Sequence, residues 1–279
     1  MIYTSIQLKA LVRNMSKGNS KRAQMIIQNY VMERFLERLS LSKYKENIIL
    51  KGGKLVAAMI GLNQRSTLDI DATVKNIPLS EIGAQKIIEE IISIEIEDGL
   101  SFEITSVTSI LDTAEYPGIR IVLDALLENM HTPLKIDFST GDVITPREIE
   151  YSFRLLFEDR TLSIMAYNLE TVLAEKLETL IVRGVTNSRM RDFYDIHVLL
   201  DTQLEIIDLE ILKRAFINTC QRRASIKLLE QIDLILTEVS NSTSLYELWR
   251  KYQAKFDYAK GIRWDEINVS VRKLADIMK

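Results

Sequence analysis

The stretch LKGGKLVAAMIGLNQRSTLDID, residues 50–71, carries the pattern that decides the fold. A short apolar run, residues 47–50, leads into two glycines and then into residues 54–62, which can form a helix. Residues 68–74 alternate in the manner of a strand that has one buried face. A strand, a glycine turn, a helix and a second strand in this order predict an α/β unit.

The regions on either side extend this pattern. Residues 21–39 have the apolar spacing of an amphipathic helix, and residues 79–94 predict a further helix. The charged residues that take the other positions of the first helix are Arg34, Glu37 and Arg38. Between residues 101 and 138 the pattern becomes that of strands, with a suitable turn at Tyr116-Pro-Gly118.

The last part of the chain has helical spacing from about Tyr167 onward. Asn168 is a credible N-cap, Gly184 is expected to end that helix, and Ser188 could cap the next one. We therefore predict an α/β (α+β) core with a mixed sheet over residues 1–160 and a mostly helical domain over residues 161–279.

Composition limits the function classes. The 279 residues are 47% hydrophobic and 27% charged, which suits a chain with a sizeable core and excludes wholesale disorder. The net charge of −3 leaves nucleic-acid binding to a local basic patch. The basic residues that could form one are Lys21, Arg22, Lys43, Lys45, Lys51, Lys54, Arg183, Arg189, Arg191, Arg222 and Arg223.

Rare residue types exclude other functions. With Cys220 as its one cysteine, the chain has neither an internal disulfide nor a cysteine-based zinc cluster, and two histidines argue against a histidine-rich metal site. We find no secretory h-region and no apolar run approaching the ~18 residues of a membrane span. A cytoplasmic protein without a membrane partner is the expectation.

The glycines after the first strand suit an anion. Gly52 and Gly53 allow close backbone approach, and the N–H groups at the start of the following helix can face a phosphate. Lys54 could add a point charge, or its side chain could point away and leave the backbone to bind. Taken alone, a tight strand-to-helix turn is at least as good an interpretation.

Carboxylates on the second strand suggest a metal. Strand periodicity places Asp69 and Asp71 on one face, where they repel each other unless a cation such as Mg²⁺ relieves the charge. A solvated strand face that carries two acids is the alternative interpretation of this motif. Ser66 or Thr67, just before this pair, could supply a hydroxyl that helps to hold a phosphate of the nucleotide.

A third acid lies inside an apolar strand. Asp137 is costly there unless it is paired or bound to a metal. It could pair with Lys135 on a neighbouring strand edge, or it could complete a three-carboxylate site with Asp69 and Asp71. Such a site can hold the two metal ions used in nucleotidyl transfer.

A basic region follows in the helical part. Lys176 and Arg183 are seven residues apart and share a helix face, and Arg189 and Asp192 stand on the next helix. These residues could form a solvated surface with i,i+3 ion pairs such as Arg189 with Asp192. They could instead form a basic wall that binds a triphosphate.

Together these motifs resemble the AbiEii/AbiGii toxin family of the DNA polymerase β-like nucleotidyltransferase superfamily. Members of this family are toxins of abortive-infection and type IV toxin–antitoxin systems. The motifs that carry the resemblance, in the family's order between residues 33 and 196, are ERFLERL, LKGG, RSTLDID, KIDFSTGD, AEKLETLIVRG and NSRMRDFYDI.

The resemblance implies roles for individual residues. Gly52 and Gly53 match the family's glycine motif, and Lys54 departs from the Ser or Thr that usually follows it. The other matches are Asp69 and Asp71 as the metal-binding pair, Asp137 as the third acid, Lys176 as the triphosphate lysine and Asp192 as the acid of the last motif.

The resemblance also implies a function. We expect an Mg²⁺-dependent enzyme, with two ions, that moves a nucleotide from a nucleoside triphosphate to the 3′ end of tRNA. A protein side chain as acceptor, or a nucleotide-binding regulator without turnover, are the alternatives. A separate antitoxin that forms no tight complex is the expected partner.

Overall fold

The computed structural model describes residues 2–111 and 117–278. These residues form two compact units. The sheet unit comprises Met1–Met59, Ser66–Gly141 and Ile149–Ala166, and the helical unit comprises Ile60–Arg65, Asp142–Glu148 and Tyr167–Lys279. The chain thus passes between the units more than once, whereas the sequence suggested a single boundary at residue 160. The last strand of the sheet also extends to Ala166, past that position.

Within the described residues the sheet unit has one seven-stranded sheet. Its strands are β1 (Ile48–Lys51), β2 (Asp69–Val74), β3 (Leu100–Leu111), β4 (Pro117–Leu127), β5 (Met130–Ser139), β6 (Ile149–Arg154) and β7 (Thr161–Ala166). The strand order is β3-β4-β5-β2-β1-β7-β6. The pairs β2–β5 and β1–β7 are parallel and the other pairs are antiparallel, which confirms the predicted mixed sheet.

The helices of the sheet unit are α1 (Ser5–Ser16), α2 (Ser20–Leu41), α3 (Gly52–Ile60) and α4 (Glu81–Ile92). The last three confirm helices that the apolar spacing predicted. The sequence analysis missed α1, which begins at a capping box: the Thr4 hydroxyl accepts the Gln7 N–H, and the Gln7 side chain accepts the Thr4 N–H.

The helix α2 corrects one expectation. Arg34, Glu37 and Arg38, which an amphipathic helix would leave in water, are all buried. The reason is that α2 contacts α1, α4, β5 and β7, so it has little face left for solvent. The buried charges are paired: Arg38 Nη1 lies 2.7 Å from Asp98 Oδ2, and Arg34 Nη1 lies 3.0 Å from Glu158 Oε1.

Two other expectations concern strands. The hairpin of β6 and β7 was not predicted, and it extends the sheet beyond β1. The predicted turn at residues 116–118 lies partly outside the described residues, since Tyr116 is among those not described, and Pro117 and Gly118 belong to β4.

The helical unit confirms the all-helical character predicted for the last part of the chain. Its longer helices are α5 (Leu169–Arg183), α6 (Met190–Gln203), α7 (Leu209–Arg222), α8 (Ile232–Asn241), α9 (Thr243–Lys255) and α10 (Trp264–Met278). Of the helices formed by residues 2–111 and 117–278, none combines the length and the apolar character that a membrane crossing requires.

Local signals at the start of this unit were mostly read correctly. Asn168 caps α5 by accepting the Thr171 N–H, and Gly184 ends that helix. The suggested cap at Ser188 is wrong, because α6 begins after Arg189 and no side chain caps it. The Asn187 side chain instead accepts the Arg189 N–H at 2.9 Å, which fixes the approach to α6.

Candidate active site

The glycine turn between β1 and α3 is shaped by an acid. Gly52 has φ of +65°, and a Cβ at this position would lie 2.1 Å from Asp71 Oδ2. Any side chain there would therefore be strained and would displace the carboxylate. The Gly53 N–H donates to Asp71, so the carboxylate lies at the N-terminus of α3. The two glycines thus allow the closest approach of this acid to the turn.

The acidic pair occupies the strand as its periodicity predicted. Asp69 and Asp71 are half-buried on β2, and Ile70 between them is buried. One detail differs: β2 begins at Asp69, so Leu68 lies before the strand and remains exposed. Asp69 and Asp71 therefore share a partly exposed face of β2.

Four charged residues form a row across the sheet. Lys51 on β1 is the register partner of Asp71, Asp71 is that of Asp137 on β5, and Asp137 is that of Arg120 on β4. Partners in register project from the same face of a sheet. Burial and the carboxylate of Asp69 raise the pKa of Asp71, Asp137 adds to this rise, and Lys51 opposes it. Asp69, Asp71 and Asp137, called the acid cluster below, therefore repel one another.

The partner of Asp137 was missed by the sequence analysis. The Arg120 Nε donates to Asp137 Oδ1 at 2.8 Å, and Nη2 donates to Oδ2 at 2.7 Å. Lys135, which we had considered as the partner, is exposed and lies in register with Asp69 instead. Because alternation on one strand cannot show which residue lies across from it, Arg120 carried no local signal.

Thr67 contacts the acid cluster from before the strand. It is buried, and its Oγ1 donates to Asp69 Oδ1 at 2.7 Å. The same carboxylate oxygen accepts the Leu68 N–H at 3.2 Å. We had expected Thr67 to offer its hydroxyl to the nucleotide, but in this structure the hydroxyl orients Asp69.

Lys54 points away from the acid cluster. It is 1% exposed, its Nζ donates to Asn29 Oδ1, and it lies 4.8 Å from the centre of the Phe153 ring. Burial lowers its pKa to about 8, and the nearby Glu33 opposes this change. The expectation that Lys54 binds a phosphate is therefore corrected, because its cationic group is enclosed by the core. The second alternative, with the backbone N–H groups left to bind, describes this geometry.

A second group of charges lies within the helical unit. Lys176 Nζ donates to Asp192 Oδ1 at 3.0 Å and to Asp195 Oδ2 at 2.7 Å. Asp195 also accepts from Arg65, whose Nε lies 2.6 Å from Oδ1. Arg65, Lys176, Asp192 and Asp195 are called the ion-pair cluster below.

The pKa values of this cluster reflect mutual stabilisation. Burial opposes the charge of Lys176, yet the carboxylates of Asp195 and Asp192 raise its pKa. Burial likewise opposes the charge of Asp195, yet Lys176 and Arg65 lower its pKa. Arg65 as a partner was missed, because 130 residues separate it from Asp195 in the chain.

The basic residues expected around this region meet different outcomes. The i,i+3 pair of Arg189 and Asp192 is confirmed at 3.1 Å, but Asp192 is buried rather than solvated. Arg183 is half-buried at the end of α5. Among the wider set proposed for a basic face, Lys45 pairs with Glu150 and Arg223 pairs with Glu178. These pairs reduce the positive charge that such a face could offer.

The acid cluster has the donor chemistry for a divalent cation. Three carboxylates suit a hard ion, and the guanidinium of Arg120 already occupies the position of a cation on Asp137. No three His, Cys, Asp or Glu side chains of residues 2–111 and 117–278 are arranged to hold a metal ion together in this structure. Both oxygens of Asp137 are bound by Arg120. The donor chemistry of these three acids suits such an ion, while the guanidinium of Arg120 occupies Asp137 in this structure.

A mixed sheet that gathers three carboxylates beside a glycine turn and a helix N-terminus has the arrangement of a nucleotidyltransferase. The sequence model of the family described as "Nucleotidyl transferase AbiEii toxin, Type IV TA system" matches residues 34–267. The chain belongs to this family, and the resemblance seen in its motifs is confirmed. No curated protein sequence matches the chain.

Two solved structures are similar to the chain. JHP933 from Helicobacter pylori has 15% sequence identity and a TM-score of 0.53, with 91% of this chain and 91% of that chain covered. A provisionally assigned nucleotidyltransferase from H. pylori has 15% identity and a TM-score of 0.49, with 91% of this chain and 96% of that chain covered. At this identity the likeness to JHP933 shows a shared fold and confirms the predicted fold class.

Proposed function

We propose that this chain is a toxin that transfers a nucleotide from a nucleoside triphosphate to the 3′ end of tRNA with Mg²⁺. The observation that carries the proposal is the register of Asp71 and Asp137 on neighbouring strands, with Asp69 beside them, in a chain of the AbiEii family. Like-charged carboxylates have no structural use in a sheet, so their gathering favours a ligand-binding role.

Within this proposal the sheet unit binds the reacting phosphates. Asp69, Asp71 and Asp137 would hold two Mg²⁺ ions. When bound, these ions would neutralise phosphate charge and lower the barrier to in-line attack. The start of α3 at Gly52 offers a phosphate the positive end of the helix, while the Gly53 N–H stays on Asp71. Asp137 orients the attacking hydroxyl of the acceptor.

The helical unit contains candidate phosphate contacts of its own. Lys176 has three N–H donors, of which Asp192 and Asp195 take two, so one is left for a phosphate oxygen. Asp192 positions this ammonium group and also pairs with Arg189, a further candidate phosphate contact. Counting Arg189, this region has one more cation than carboxylate, which favours an anionic ligand.

The acceptor is tested by labelling. The protein is incubated with each radiolabelled nucleoside triphosphate in turn, Mg²⁺, and either total RNA or total protein, with Asp137→Asn as the matched inactive control. We expect label on RNA of tRNA length with the wild type alone. Label on protein would overturn tRNA as the acceptor. No label with any nucleotide would overturn transfer and leave a nucleotide-binding regulator.

A toxin of this family is expected to have a partner that restrains it. We infer a separate antitoxin that restrains the toxin without a tight complex, as the type IV description of the family favours. The wild-type chain should then purify alone and inhibit growth when induced, and Asp137→Asn should not inhibit growth. A stoichiometric protein that stays bound through size exclusion would contradict the loose association.

A further inference from the structure

The guanidinium of Arg120 is a positive group that contacts the acid cluster directly. It binds both oxygens of Asp137, and its pKa is raised by this hydrogen bonding and charge, with further contributions from Asp69 and Asp71. One guanidinium thus experiences all three carboxylates. The pair is also planar and bidentate, which is the strongest geometry for an arginine and a carboxylate.

Arg120 is nonetheless free to leave. Its side chain is 41% exposed, whereas that of Asp137 is 18% exposed, so the carboxylate is fixed in the sheet and the cation extends toward solvent. A long side chain of this kind can change rotamer at small cost, and water receives the released guanidinium. By contrast, Arg65 in the ion-pair cluster is almost fully buried and could not move in this way.

We propose that Arg120 is the resident counter-cation of the acid cluster and must leave Asp137 before that carboxylate can serve a divalent cation. The proposal rests on the proposed function, since it assumes that the acid cluster binds such an ion. Arg120 is then a residue that sets metal affinity: it holds the site closed to free cations while it remains on Asp137.

The released guanidinium has a natural new partner. A planar guanidinium binds a phosphate group as it binds a carboxylate, through two parallel N–H donors. A triphosphate that arrives with the cation therefore compensates Arg120 for the loss of Asp137, whereas a cation alone does not. Arg120 consequently couples the two ligands, so that each raises the affinity for the other.

The test measures Mn²⁺ binding to the full chain without nucleotide, by the electron paramagnetic resonance signal of free Mn²⁺. Arg120→Gln should raise the affinity by roughly three- to tenfold, the scale of one partly exposed bidentate pair. The gain should vanish in the Arg120→Gln, Asp137→Asn double variant. Arg154→Gln is the matched control, because Arg154 on β6 forms an exposed pair with Asp159 and the change removes the same charge.

A second measurement tests the coupling. Adding a non-hydrolysable nucleoside triphosphate should raise Mn²⁺ affinity more in the wild type than in Arg120→Gln. If Arg120→Gln unfolds, as judged by circular dichroism, Arg120→Lys replaces it, since lysine keeps the charge and loses the bidentate contact; its affinity should lie between the two.

The outcomes separate the inference from the proposed function. Equal or weaker Mn²⁺ binding in Arg120→Gln, with binding that still needs Asp69 and Asp71, would overturn the role of Arg120 and leave the metal site standing. Mn²⁺ binding that survives Asp71→Asn, or that is lacking in the wild type and Arg120→Gln alike, would overturn the metal site and the inference with it.

Discussion

The acid cluster of the sheet unit consists of three aspartates, whereas the ion-pair cluster of the helical unit combines two aspartates with two cations. In the acid cluster the carboxylates raise each other's energy, and burial with Asp69 raises the pKa of Asp71. In the ion-pair cluster every carboxylate contacts a cation, and Lys176 with Arg65 lowers the pKa of Asp195 despite burial.

The difference teaches how to separate function from stability in a charged region. A cluster whose members stabilise one another explains its own presence, because breaking it would leave buried charges unpaired. A cluster whose members repel one another costs stability, and its presence is explained only by a ligand that the chain receives. The ion-pair cluster can still contact a ligand, but its geometry alone does not require one.

The largest expected effect breaks the acid cluster. Asp71→Asn should lower the rate of nucleotide transfer by at least about 10³-fold, because a neutral amide is a poor ligand for the divalent cation. Its free energy of unfolding should not fall, since the change removes like-charge repulsion and keeps an acceptor for the Gly53 N–H. Urea titrations followed by circular dichroism and the labelling assay measure the two quantities. A stability loss that matches the activity loss would make Asp71 structural.

The next effect falls on stability in the other region. Asp195→Asn should lower the free energy of unfolding of the helical unit by about 3–5 kcal/mol, because it leaves Arg65 without its anion in a buried position. The chain has two tryptophans, Trp249 and Trp264, and both lie in this unit, so their fluorescence reports its unfolding. Asp233→Asn, which breaks an exposed pair with Arg272, is the control and should change little. If the two variants lowered the free energy of unfolding equally, burial of the Asp195 pair would not be what stabilises the helical unit.

The two clusters show which parts of the fold and the site could be predicted from the sequence. The local pattern from β1 to β2 predicted the strand, the glycine turn, the helix and the shared face of Asp69 and Asp71, because each depends on residues close in the chain. Asn168 as an N-cap and Gly184 as a helix end were predicted on the same local basis. The chain's membership in the AbiEii family was recognised from the order of such motifs.

What the sequence could not supply was long-range pairing. Arg120 and Asp137 are 17 residues apart, and Arg65 and Asp195 are 130 apart, so neither pair leaves a periodic signal. Burial of the charges on α2 depends on how many elements pack around that helix, which periodicity does not report. The hairpin of β6 and β7 was missed for a related reason: its strands alternate, but only a pairing with β1 gives them a sheet to extend.

A smaller effect tests whether the ion-pair cluster also serves the substrate. Lys176→Gln should lower the transfer rate by about 10²-fold, as loss of a charge on the transition state does. Lys176→Ala should act similarly, which separates charge from packing. Rates are compared at a temperature where tryptophan fluorescence shows both variants folded. Near-normal rates in folded variants would restrict Lys176 to its structural role with Asp192 and Asp195.

The smallest effect concerns Lys54, a buried cation that belongs to neither cluster. Burial lowers its pKa from the ordinary 10.5 to about 8, and its neighbours are Asn29, Glu33 and Phe153. The unfolded chain therefore binds this proton more tightly, and unfolding takes up a proton between about pH 8 and the ordinary value. The free energy of unfolding of the wild type should rise over this window relative to Lys54→Met, by at most about 1.4 kcal/mol per pH unit.

Urea titrations of the full chain, followed by circular dichroism at several pH values from 7.5 to 10, measure this difference in the free energy of unfolding. Lys54→Gln is the matched control, since it also lacks the titrating group but retains a polar end near Asn29. The two variants should have parallel pH profiles even if their stabilities differ, because other groups titrate equally in both. A wild-type profile parallel to theirs would show that Lys54 keeps its ordinary pKa. The ammonium group of Lys54 would then be solvated rather than enclosed by the core.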